Sequence, residues 1–143
     1  MPSEIRRIIF TNTEATKAIL AYGARFDVKF PIGKITRARA AGTNEFQDLH
    51  MHKFHSELHT EYNIAEQKNS VIITFFDELT FEHRYFDLRA DFITAALIVY
   101  CRENQIMIPR NSLKKLGFSD LNMTLDIHYE LRLSGSDPLL ELE

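Results

Sequence analysis

Residues 83–109 read HRYFDLRADFITAALIVYCRENQIMIP, and three textures follow one another within them. His83 to Leu88 is short and rich in aromatic residues, the composition of a strand. From Ala90 to about Glu103 the chain is apolar on almost every side through Phe92, Ile93, Ala96, Leu97, Val99 and Tyr100, which predicts a helix at the centre of a core. Ile106-Met107-Ile108-Pro109 then predicts extended chain, because proline disfavours helix in the residue before it.

The same succession occurs earlier. At an offset of 78, residues 6–53 and 84–131 share eight identities in 48 ungapped pairs, among them Thr16/Thr94, Tyr22/Tyr100, Asp48/Asp126 and His50/His128. Arg6 to Phe10 reads as a strand. Ala15, Ala18, Ile19, Tyr22 and Phe26 form a helical stripe that Thr11 and Glu14 open as a capping box. Val28 to Pro31 is the matching extended element, and short helices are expected after it at Lys34 to Ala41 and in the second unit at Ser112 to Leu116. Residues 123–131 alternate in polarity, the pattern of a half-buried strand. Ser70 to Phe76 and the strand after it read as a hairpin spanning 70–87. Residues 45–66 read as a short strand followed by a helix.

These elements predict a single α+β domain over residues 1–133, built from two divergent β-α-(α)-β units with a mainly antiparallel sheet and helices on one face, followed by a tail at 134–143. The other sheet face, expected to carry Phe75, Phe81 and Tyr85, suits a homodimer contact.

With 143 residues, 45% of them apolar and 26% charged, the chain can bury a core of its own without a metal or disulfide staple. The one cysteine, Cys101, excludes an internal disulfide, a four-cysteine zinc site and a CxxC redox motif. Its place in the most apolar helix predicts an inert buried thiol. We expect a reducing compartment, the cytoplasm, and no membrane partner, because the longest apolar run, Ala95 to Cys101, is far short of a span.

Charge is unevenly placed. Residues 28–44 carry Lys29, Lys34, Arg37 and Arg39 and no acid; residues 104–119 carry Arg110, Lys114 and Lys115 and no acid. Seven cations there, against a net charge of −3, leave −10 on the rest of the chain. A solvated basic surface is one reading. The other is an anion site made of Lys34, Arg37, Arg39, Arg110, Lys114 and Lys115, whose phosphate-bearing partner would bind with strong salt dependence. Along the chain only Phe30 and Phe118 fall among these cations, so a base-stacking platform is not indicated.

His50, His52, His55 and His59 crowd ten positions. Spacings of three and four put His52, His55 and His59 on one face of a helix, a set that suits zinc or another divalent transition metal. The known signatures fail: in His55-Ser-Glu57-Leu-His59 the acid stands one position too late for HExxH. Asp48 with His50 and Asp126 with His128 are two apart on strand faces, either as acid-base pairs or as plain solvent-side polar residues. No motif for nucleophilic catalysis is present. The sequence therefore points to a small non-catalytic binding or regulatory module without a cofactor, engaging an anionic ligand or nucleic acid and assembling as a homo-oligomer. The alternatives are a metal-binding protein or metal-dependent enzyme at the histidines, and a protein-docking adaptor.

Overall fold

The computed structural model describes residues 2–26, 29–40, 51–53, 70–109, 111–119 and 122–130. In chain order these form β1 (Ser3–Thr11), α1 (Asn12–Ala24), β2 (Gly33–Ala40), β3 (Met51–Lys53), β4 (Ser70–Asp77), β5 (Glu82–Arg89), α2 (Ala90–Glu103), β6 (Leu113–Phe118) and β7 (Asn122–Glu130). The class is the expected α+β. Among the described residues the strands make two sheets, ordered β1-β7-β6 and β2-β4-β5-β3, and every pairing is antiparallel except that of β3 with β5.

Each long helix begins directly where a strand ends. At α1 the Thr11 side chain accepts from the Glu14 amide, and the Glu14 carboxylate accepts from the Thr11 amide, the capping box read from the sequence. Two otherwise unsatisfied amides are bonded in this way. At α2 Arg89 takes the cap position without a side-chain capping bond to the helix backbone, and its guanidinium instead donates to the fully buried Asp91 side chain in the first turn. Ala15, Ala18, Ile19 and Tyr22 of α1 are buried, whereas Phe26, beyond the helix end, is half exposed. In α2 the residues from Ala90 to Val99 are all buried.

The helices pack on each other and are shared between the sheets. α1 touches β1, β7 and β2; α2 touches β5 and β6. Inward residues of both sheets, Phe10, Leu125 and Ile127 from one and Ile73, Phe75 and Leu88 from the other, therefore belong to one core with the helices.

The two sheets are built alike. Arg6 stands opposite Ile127, and Arg84, 78 positions on, stands opposite Phe75, 52 positions before Ile127. Lys115 faces Asp126 and Arg37 faces Thr74, related by the same two offsets. By register, β4 holds in the four-stranded sheet the place that β7 holds in the other.

Two expected elements are corrected. Of the segments 34–41 and 112–116, expected as short helices, residues 34–40 and 113–116 lie in the edge strands β2 and β6. In β2 a bulge between Ile35 and Arg37 inserts one residue, so the inward Ile35 and Ala38 fall three apart and imitate helical spacing. In β6 Lys114 and Leu116 point inward while Leu113 and Lys115 face out, so the polarity of one step is inverted and the alternation is hidden. Phe75, expected on the outer face, is a core residue; Phe81 and Tyr85 are not. Of the region 45–66, the short strand is present as β3 and the helix expected after it lies outside the described residues.

Candidate functional site

The outer face of the four-stranded sheet collects three of the expected cations. Because the bulge at Thr36 shifts the alternation, Lys34, Arg37 and Arg39 all project from the side of β2 opposite the core residues Ile35 and Ala38. Their register partners carry the row across the sheet. Lys34 faces Phe76, which faces His83; Arg37 faces Thr74, which faces Tyr85; Arg39 faces Ile72, which faces Asp87. Thr74 and Ile72 are buried and Arg37 and Arg39 half-buried, so the face is open at its Lys34 end. Outward residues on an edge strand recur about every 7 Å. Arg37 and Arg39 also hold contacts within the chain.

Gly33 seats this strand. A Cβ there would lie 1.8 Å from the Phe76 carbonyl oxygen, closer than any side chain permits, so glycine lets β2 approach β4 at the point where the basic row begins.

Beside the Lys34 end of the face lies an aromatic group. The Phe76 ring packs edge-on against His83 at 5.5 Å and against Phe81 at 6.4 Å between centroids. Phe81 is 78% exposed and His83 is exposed. Phe81 also has a backbone φ of 58°, the left-handed region where a bulky residue is costly and glycine or asparagine is not.

The turn that presents Phe81 is held by Asp77. Its side chain, 5% exposed, accepts from the Leu79 and Thr80 amides and, at 2.8 Å, from Arg84 Nε. The Arg84 guanidinium, helped by the two amides and opposed by burial, holds the Asp77 carboxyl below the usual carboxylate range.

The remaining expected site residues stand elsewhere. Lys115 faces out from β6 in the row Arg7–Asp126–Lys115 of the three-stranded sheet. Lys114, expected on the basic surface, is fully buried on the opposite side of β6 and holds a contact within the chain, so it meets no external anion. Arg110 lies outside the described residues. Lys34, Arg37 and Arg39 on β2 and Lys114 and Lys115 on β6 thus lie on strands of different sheets.

Asp126 is bound by Arg7 through two bonds of 2.7 and 3.0 Å, which draws its carboxyl down in pKa. Asp48 and His50 lie outside the described residues. Of the metal candidates, His52 stands on β3 in register with Phe86, and His55 and His59 lie outside the described residues. Among the described residues no three histidine, cysteine or acidic side chains group as a metal site, and no helix is long and apolar enough to cross a membrane. Cys101 is fully buried, and that burial pushes its thiol up to about 11.

Sequence reasoning found the cations of β2, put Phe81 and Tyr85 on an outer face as a homodimer contact, and missed Phe76 and His83. Their signal lay in the hairpin: folding β4 onto β5 about residues 78–81 brings Phe76 opposite His83. No family model, no curated protein and no solved structure matches the chain.

Proposed function

We propose that the protein is a non-catalytic binding module for a phosphate-bearing ligand, single-stranded nucleic acid being the class that fits, and that the Lys34 end of the outer face of the four-stranded sheet is its binding surface. The observation that carries this reading is the cross-strand row Lys34, Phe76 and His83, continued by Phe81: a cation along the sheet edge with exposed rings beside it. Cations on an edge track a phosphate backbone, and exposed rings stack on bases whatever their identity. The left-handed Phe81 supports the same reading. Its backbone conformation is unfavourable for a bulky residue, and a largely exposed ring recovers little by packing, which points to a role in contact.

The test is fluorescence anisotropy with labelled single-stranded oligonucleotides from about 50 to 200 mM salt, with untagged protein. Each phosphate contact contributes about −0.7 to the slope of log affinity against log salt. Arg37→Ala and Lys34→Ala are expected to weaken binding and make the slope shallower by about that amount each, and Phe81→Ala to weaken it with the slope unchanged. Lys115→Ala, on the other sheet, is expected to leave both unchanged. Equal losses from Lys115→Ala and Lys34→Ala would overturn the assignment to this face, and no binding to any oligonucleotide would remove nucleic acid as the ligand class.

A further inference from the structure

The three-stranded sheet ends in β1, and nothing among the described residues pairs with its free edge. Unpaired edges of long strands recruit further strands unless charged side chains, lysine above all, proline, a bulge or a short length prevents it. β1 carries Glu4, Arg6 and Arg7 but none of the other protections. It runs nine residues, Ser3–Thr11, with no proline, glycine or lysine, and its register with β7 is unbroken. On its outward face Ile5 is 65% exposed and Ile9 is 61% exposed, one on each side of Arg7.

The molecule offers a comparison within itself. By register β5 is the counterpart of β1, and the edge of β5 is covered by β3. Of two equivalent edges, one receives a strand and the other has no partner strand among the described residues, with Ile5 and Ile9 exposed beside it.

We propose that a second copy of this chain occupies that edge, with two β1 strands antiparallel about a twofold axis at Arg7, joining the three-stranded sheets of two protomers into one of six strands. The register that uses all nine residues is self-complementary. It sets Ile5 against the partner's Ile9 and Ser3 against the partner's Thr11, which packs each exposed isoleucine side by side with one of the partner's. At the axis Arg7 meets the partner's Arg7. Each protomer's Arg7 is already bonded twice to its own Asp126, so the charges that approach are compensated pairs. An unrelated peptide would satisfy the backbone; the symmetric placement of Ile5, Arg7 and Ile9 favours a second copy.

Sedimentation velocity on the untagged full chain tests this, with amide hydrogen exchange on β1. The wild type is expected to dimerise in a concentration-dependent manner. Ile5→Lys and Ile9→Lys change exposed positions, so circular dichroism is expected to stay native while dimerisation weakens at least about tenfold. Asp126→Asn uncovers the facing arginines and is expected to weaken it too, an effect that salt reverses. A wild type that stays monomeric at 100 μM, or a dimer indifferent to both lysine variants, overturns the proposal. So does a monomer whose β1 amides are protected on both edges, because that identifies an occupant within the chain.

Discussion

At the scale of single residues, Phe81 is where stability and contact pull apart. Its φ of 58° places Cβ against the following carbonyl, at a cost of about 1–2 kcal/mol for a non-glycine residue. Glycine removes that cost and returns part of the gain through the greater freedom of the unfolded chain. Phe81→Gly is therefore expected to hold or raise the midpoint of urea unfolding while lowering oligonucleotide affinity. A variant that is less stable and binds as before would mean that the ring serves packing. Buried residues carry the opposite lesson. Lys114 is fully buried, and no pattern of polarity along Leu113-Lys114-Lys115-Leu116 assigns a lysine inward and a leucine outward. Only the register of β6 on β7 does.

At the scale of elements, the β4–β5 hairpin depends on one carboxylate. Asp77 closes the turn and bonds Arg84, and its pKa in the folded chain lies below that in the unfolded chain. A depressed carboxyl stabilises the fold above its unfolded value, near pH 4, and loses that contribution as pH falls through the folded value. Asp126, held down by Arg7, adds in the same direction. Stability is thus expected to be flat from about pH 7 to 5 and to fall below about pH 4. Asp77→Asn is expected to be less stable at neutral pH and less sensitive to acid; an unchanged pH profile in that variant would show that the turn does not depend on the charge. The long elements were legible because their signals are local: the Thr11/Glu14 capping box, the apolar run of α2 and the alternation of β7 each lie within one stretch of chain. β2 was not legible, because its bulge turns the two-residue period into a spacing of three between Ile35 and Ala38. That spacing also satisfies a helix.

At the scale of the whole molecule, two similar sheets share one pair of helices, and their outer faces differ in character. One presents Arg7, Asp126 and Lys115 as a compensated row between exposed isoleucines; the other presents Lys34 beside Phe76, Phe81 and His83. The basic segments were visible in the sequence as acid-free stretches. Which cations share a surface, and which rings stand beside them, depends on pairing between strands distant in the chain. The account's central claim is that ligand binds at the Lys34 end of the outer face of the four-stranded sheet. Its most direct test is a titration of isotope-labelled protein with a single-stranded oligonucleotide, followed by amide and side-chain NMR shifts. The claim predicts that the largest changes cluster at Lys34, Arg37, Phe76, Phe81 and His83, with Arg7, Lys115 and Ile9 unmoved. Changes concentrated on β1, β6 and β7, with β2 and the hairpin silent, would contradict it.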